Sequence, residues 1–491
     1  MKTRTEKQTE LADVFFAENC MGIEDVVPRF GKTQLGIDIA ERYIRTFAET
    51  EVLVITPSLV ILQHWETSLI KHFGAVPDNI NVMNADSVLN LKPFDIDLLI
   101  VDEVHLFTTD TRFTLINDKH IHFTHFLGLT GTMPSTYNYK LLTSVAPVIA
   151  RVTEQEAIKN GWISDYVECN VALDFPDNDK IEYVNRTQPI TETLRQFNGL
   201  ERKFKLKGGV YMFRSTYDLI SSCYYGRSTI HGYFNGQDIR ENLAAKMGWH
   251  SGLDLTSKYN RNLNDTWSPG AIRDAALIFL KSVEYRHDLM SNNIVKLNAV
   301  LSILKKLKDS RAIIFSNSIN FAEIIKDTLN HNIPGYHCIS YHSKMKGRPM
   351  EDEYGELIRY KSGKKKGEVK LFGQKAILEE VVQGTVGGKY NAISVVNAFD
   401  QGVDIPNIDL VITTSGSTNV ITNKQRTARG KTYYGDKVST IVNLYFDDFT
   451  VLIDDERRII SSRDKRKLMQ RQDVAKLKNP ISLNEFLSKI V

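Results

Sequence analysis

Two short strings carry the residues of this chain that could do chemistry. Pro28-Arg29-Phe30-Gly31-Lys32-Thr33 has the residue types of a phosphate-binding loop, and Leu99-Ile100-Val101-Asp102-Glu103-Val104-His105 is an apolar run that ends in two carboxylates. Backbone N–H groups at a helix start wrap a polyphosphate, and a lysine there neutralises its terminal oxygens, the role open to Lys32. Thr33 and Asp102 offer hard oxygen donors to a magnesium ion. Glu103 is then placed to position an attacking water. The loop is the weaker signal, because the usual pattern asks for a small residue where this chain has Val26, and Arg29 is bulky for such a turn. The bland reading, a capped helix and a surface carboxylate pair, accounts for each string singly but not for both together.

Such residues need a sheet to hold them at one edge. From about 8 to 150, β-branched runs (Val52-Leu53-Val54-Ile55, Leu98-Leu99-Ile100-Val101, Phe126-Leu127-Gly128-Leu129) alternate with helix-like segments, the rhythm of a buried parallel sheet. A second block of the same kind starts near 311, with strands expected at 312–315, 392–396, 410–412 and 441–444. The fold class expected is therefore α/β with two similar units: 1–175 and 291–450. Between them, 180–290 is polar and aromatic-rich, with Tyr224, Tyr225, Trp249 and Trp267, and reads as an inserted subdomain because linkers seldom carry such side chains. The last segment, 451–491, is a basic, helix-permissive tail.

Composition narrows the rest. A chain of 491 residues exceeds a single core. Its 42% hydrophobic and 10% aromatic content is ordinary for a globular protein, and a formal charge of +3 gives no global sign of nucleic-acid binding. Four scattered cysteines argue against a zinc site and a disulfide framework. No run approaches the roughly 18 apolar residues of a membrane span, and the N-terminus has no apolar signal region, so a cytoplasmic setting is expected.

Taken in order, the motifs resemble those of superfamily 2 helicases, in particular the branch with phage branch-migration helicases and restriction-enzyme motor subunits. Thr56-Pro57-Ser58, with Gln63 and Trp65, resembles the family's first nucleic-acid-contacting motif, and Gly128-Leu129-Thr130-Gly131-Thr132-Met133-Pro134 its coupling motif, usually written GLTATP. Ile314 to Ser318 resembles the fourth motif, Phe399 to Pro406 the fifth and Gln425-Arg426-Thr427-Ala428-Arg429 the sixth.

The resemblance implies two RecA-like motor domains that close on ATP and Mg2+. On it, Gln8, Pro28, Arg29, Phe30, Gly31, Lys32, Thr33, Gly402 and Asp404 would bind nucleotide, and Lys32, Asp102, Glu103, Gln425, Arg426 and Arg429 would act in hydrolysis. Arg429 is the first candidate for the arginine that reaches the γ-phosphate, with Arg426 and Lys431 as alternatives, since Thr432 stands where the family has a further arginine. Thr56, Pro57, Ser58, Ser316 and Asn317 would touch the nucleic-acid backbone without reading sequence. His105, Thr130, Gly131 and Thr132 would couple the two activities. The expected function is an ATP-dependent motor on DNA rather than RNA, acting as a monomer, with a protein partner open to the insert and no membrane role. Two rivals stay open: a duplex translocase that does not separate strands and drives a partner nuclease, and a catalytically weak nucleic-acid clamp.

Overall fold

The computed structural model describes residues 2–490 except 48, 135, 206–211, 214, 226, 229–231, 234–235, 250–266, 346, 348, 351–355, 361–365, 372, 397–404, 406–407, 415–425, 427, 432–437, 454–455, 473, 475 and 478–479. The chain divides into two compact units: residues 1–173, 296–445 and 463–491 form one, and 174–295 with 446–462 form the other.

In the first unit, β1 (Met21–Val26), β2 (Val52–Thr56), β3 (Ile80–Asn84), β4 (Phe94–Asp102), β5 (Ile121–Thr130) and β6 (Val148–Val152) make a parallel sheet in the order β3-β2-β4-β5-β1-β6. β2 is buried along its whole length, because helices cover both faces and leave no polar side to the strand. Helices α1 (Arg4–Ala17), α2 (Lys32–Thr46) and α3 (Leu59–Phe73) contribute Phe15, Leu35, Ile39 and Trp65 to the core on one side. Ile23, Leu99, Val101 and Phe107 pack on the other.

The strand β7 (Tyr166–Leu173) lies within the span 1–175 assigned above to the first motor domain, yet it joins the second sheet. After the other unit, which contains the short antiparallel pair β8 (Arg227–Ser228) and β9 (Gly232–Tyr233), the chain returns to build that sheet. β10 (Ala312–Ser316), β11 (Cys338–Tyr341), β12 (Ala392–Val396), β13 (Leu410–Thr413) and β14 (Ser439–Phe446) take the order β11-β12-β10-β13-β14-β7, and a late strand, Pro480–Ser482, pairs parallel with β7 at the end. The expected strands of the second block all appear. A polar side-chain network holds β7 in place: Asn443 Nδ2 donates to Glu168 Oε1 at 2.7 Å and to Asn170 Oδ1 at 3.1 Å, and Gln472 Nε2 donates to the same two oxygens at 2.8 and 2.9 Å.

The segment read as a basic tail splits. Its last part packs on the second sheet through the helix Arg463–Gln472, where Asp464 pairs with the buried Lys296 at 2.6 Å. Its first part belongs to the second unit, where the antiparallel strands β15 (Phe449–Ile453) and β16 (Glu456–Ile460) pair. There Phe449 meets Phe175 and Tyr183 at ring-centroid distances of 5.2 and 5.5 Å. The core of that unit gathers Phe197, Phe213, Leu219, Leu243 and Phe279, with Tyr224, Trp249 and Trp267 packed against it. The last three are half-buried at the edge of that core, whereas Tyr225 is exposed. The four cysteines are free thiols. Among the described residues no helix is long and apolar enough to cross a membrane.

One residue of β1 is out of keeping with its surroundings. Glu24 is fully buried, neither carboxylate oxygen has a hydrogen-bond partner among the described residues, and burial pushes its carboxyl up to about 8 from an ordinary 4.5. Proton binding to Glu24 then favours the folded state fully below pH 4.5, and that contribution is lost as the pH rises to about 8. Glu24→Gln, neutral at every pH, is expected to be more stable than the native protein at pH 8, on the order of a few kcal/mol. The gap should close near pH 4.5, as thermal melting at both pH values will read.

Candidate active site

Parallel pairing sets the site. In register, Asp25 of β1 lies beside Thr130 of β5, and Leu129 of β5 beside Asp102 of β4. The ends of three adjacent strands therefore bring the loop after β1, the threonines after β5 and the carboxylates of β4 to one edge of the sheet.

The loop is shaped by left-handed backbone at Arg29 (φ +75°) and Gly31 (φ +100°). Arg29 thus adopts the conformation a glycine would adopt freely, and the turn keeps its form with a bulky residue in it. Gly31 is the N-cap of α2 and offers no side-chain acceptor, so the first N–H groups of a 15-residue helix are left without a side-chain cap. Gln8 is 5% exposed and donates from Nε2 to the carbonyls of Gly31 (3.1 Å) and Phe30 (3.4 Å). Its side chain braces the loop from behind, and Phe30 itself is buried in an edge-on contact with Trp162.

Lys32 Nζ pairs with Glu103 Oε1 at 2.7 Å. Glu103 has left-handed backbone (φ +50°) that opens the short turn Val104–Phe107, and its carboxylate also accepts from the Gly131 N–H. His105 Nδ1 lies 3.3 Å from Glu103 Oε2 and 2.9 Å from Thr130 Oγ1. The Thr130 hydroxyl donates to the Thr132 carbonyl at 3.1 Å, so its proton is committed and His105 Nδ1 must be the donor between the two. The proton on Nδ1 leaves Nε2 as the buried atom with no partner among the described residues. Burial, with the charge of Lys32, lowers the His105 pKa against the pull of Glu103. His105 is thus a neutral link between Glu103 and Thr130.

The two carboxylates differ. Burial raises the Asp102 pKa, and the neighbouring charge of Glu103 adds to the rise. Burial acts on Glu103 in the same sense, but the Lys32 charge and hydrogen bond and the Gly131 N–H bring its pKa down. Asp102 Oδ1 accepts from the Glu103 N–H at 2.8 Å and Oδ2 from Trp65 Nε1 at 2.9 Å. A buried carboxylate with lone pairs beyond those two contacts, and the Thr33 hydroxyl in the first turn of α2, are oxygen donors of the kind that fit Mg2+.

Thr56 and Ser316, expected to touch nucleic acid, are both fully buried. Their hydroxyls donate to the Ser58 and Ser318 carbonyls, each at 3.2 Å, and Ser58 and Ser318 in turn cap the helices Leu59–Phe73 and Ile319–Asn332. The two loops are built alike, with Thr56 and Ser316 as internal struts. Arg426 is also buried, 1% exposed, with its guanidinium 5.1 Å from the Phe315 ring centroid. Gly402, Asp404 and Gln425 lie outside the described residues, and Arg429 is described only as backbone of the 3-10 turn Ala428–Lys431. Ala428 of that turn lines a cavity of about 330 Å³ with Pro28, Gly131, Thr132, Arg151 and Glu154, next to the phosphate loop.

Sequence reasoning missed the place of Trp65 beside Asp102. Its signal was Gly36 in the middle of α2: a Cβ there would come within 2.4 Å of the Trp65 ring, and a glycine inside a helix marks such an approach.

The family described as helicase conserved C-terminal domain matches residues 295–431. No curated protein matches the chain. Among solved structures, the chain is similar to the Hef helicase domain of Pyrococcus furiosus, at 16% identity and a TM-score of 0.48, covering 89% of this chain and 94% of that one.

Gly131 stands where the coupling motif's usual form has alanine. A Cβ there would lie 2.9 Å from Pro28 Cγ and 3.1 Å from Lys32 Nζ. Lysine can yield, but the proline ring is fixed in the loop. Gly131→Ala is therefore expected to destabilise the protein by about 1–3 kcal/mol, readable by chemical denaturation.

Proposed function

We propose that the chain is an ATP-dependent nucleic-acid motor of the helicase type, hydrolysing Mg-ATP at the edge of its first sheet and working on DNA. The observation that carries this reading is the Lys32–Glu103 ion pair at an uncapped helix N-terminus, beside the fixed carboxylate of Asp102. The helicase C-terminal family match over 295–431 supports the motor assignment, and the Ala428 turn beside the loop supports Arg429 as the residue that reaches the γ-phosphate.

Phosphate oxygens bind the free N–H groups of α2 and draw Lys32 away from Glu103. Glu103 is thereby released to orient the attacking water and accept its proton. Thr33 and Asp102 are the residues that would hold Mg2+. Bound there with the nucleotide, the ion would supply charge neutralisation on the phosphate oxygens. Gly131 and His105 keep Glu103 aimed while Lys32 moves, and His105 carries its displacement to Thr130 and Thr132. On the track side, the N-termini of the helices behind Ser58 and Ser318 present N–H groups to backbone phosphates, contacts that carry no sequence information. The motif forms resemble those of branch-migration helicases, which makes forked and four-way DNA the substrates of first interest.

Steady-state hydrolysis with single-stranded, duplex, forked and four-way DNA and with RNA tests the assignment. Stimulation by DNA is expected, and Lys32→Ala should cut the stimulated rate on the order of 10²-fold or more. Hydrolysis left unchanged by that substitution would overturn the site. Glu103→Gln should lose hydrolysis to a similar degree while still binding ATP.

A further inference from the structure

The two candidate Mg2+ ligands come from different elements, Thr33 from the first turn of α2 and Asp102 from the end of β4. Both are hydrogen-bonded by consecutive residues of a third, α3. Trp65 Nε1 donates to Asp102 Oδ2 at 2.9 Å, and His64 Nδ1 lies 3.3 Å from Thr33 Oγ1. We propose that α3 positions both ligands for the cation, through His64 on Thr33 and Trp65 on Asp102. It does so as the element that begins at the track-side loop Thr56-Pro57-Ser58. The inference rests on the proposed nucleotide site and assigns positioning roles that the sequence motifs do not.

The Trp65 contact is a built one. The side chain is fully buried, and an indole N–H is a donor only, so it has one job to do in that environment. Its ring fits against Gly36 of α2, where any side chain would collide with it. With the Glu103 N–H on Oδ1, the indole fixes the rotation of the Asp102 carboxylate and leaves its remaining lone pairs to a cation. His64 acts on the other ligand from an exposed position. In the tautomer with its proton on Nε2, His64 accepts the Thr33 hydroxyl proton, and the Thr33 oxygen keeps its lone pairs for the ion. α3 runs from its Ser58 cap to Gly74 (φ +88°) without a proline, so it moves as one rod. His64 and Trp65 sit about 9 and about 10.5 Å along it from Ser58, at roughly 1.5 Å per residue. A displacement of the loop on binding a nucleic-acid backbone therefore reaches both ligands at once.

The test is equilibrium binding of a fluorescent ATP analogue as Mg2+ is titrated, for the native protein, Trp65→Phe and His64→Ala, with parallel titrations in EDTA and thermal melts. Native protein that shows no Mg2+-dependent binding would refute the nucleotide site itself. Given such binding, Trp65→Phe should raise the Mg2+ midpoint about 10-fold or more, as loss of a residue that orients a metal ligand does. Affinity for the analogue in EDTA should stay unchanged, which a merely structural defect would not allow. His64→Ala, at a surface position that tolerates truncation, should shift the midpoint in the same direction and decides the matter if Trp65→Phe does not fold. Folded variants with midpoints within about twofold of native, against the 10–100-fold range for such residues, would overturn the proposal.

Discussion

The parallel alignment of β1, β5 and β4 is the constraint on which the site depends. Because all three strands run the same way, each delivers its last residue and the following loop to one edge, and the register fixes which residues meet there. β5 sits between the other two, so the threonines that follow it lie between the phosphate loop and the carboxylates. Lys32 can then reach Glu103 across Gly131, and His105 can reach Thr130. A side chain at 131 would narrow that passage, which gives the glycine there a physical reason.

The same strand-to-helix turn is used twice. After β2 and after β10, a hydroxyl residue at the strand end donates to the carbonyl two residues on and also lies near a carbonyl of the adjacent strand, Met83 for Thr56 and Val395 for Ser316. The next serine caps the following helix. Each turn is thus fixed by its own side chains, independent of any ligand, and presents a helix N-terminus at the C-terminal edge of its sheet. Two sheets of unlike sequence arrive at one solution because a hydroxyl buried at a strand end must give its proton to a backbone carbonyl within reach.

Much of the fold was legible because buried parallel strands are apolar throughout: Val52 to Ile55 or Ile313 to Phe315 can hardly be read otherwise. The loop at 28–33 and the Asp102–Glu103 pair stood out as candidates because few other stretches of the chain combine such residue types. What the chain could not announce was the division of labour among polar residues in one motif. Thr56 and Ser58 look alike in sequence, yet the first is a buried strut and the second caps a helix. Nor could it announce that the Gln8 amide donates to the carbonyls of the loop it precedes, or that the Arg426 guanidinium lies over the Phe315 ring. Contacts between distant segments were hidden for the same reason. Nothing near residue 170 announces a strand partner near 440 or 480, and nothing near 449 announces Phe175.

The Lys32–Glu103 pair also sets how the proposed reaction is gated. An ion pair of 2.7 Å between largely buried groups holds the two charges against each other, and breaking it without replacement would leave both unpaired. Phosphate supplies the replacement for Lys32, while Gly131 N–H and His105 remain on Glu103. On the proposed reading binding is an exchange of partners, and Glu103 would become available as a base only once a phosphate had taken Lys32. The two Asp102 oxygens are held by an amide and an indole, neutral donors that orient them, while Lys32 acts on Asp102 through its charge and against the rise that burial and Glu103 impose. On the proposed reading, a cation held by Asp102 and Thr33 would relieve the burial of that carboxylate. The site is complete in its donors and incomplete in its charge, and on the proposed reading ligand binding corrects both halves of that imbalance in one step.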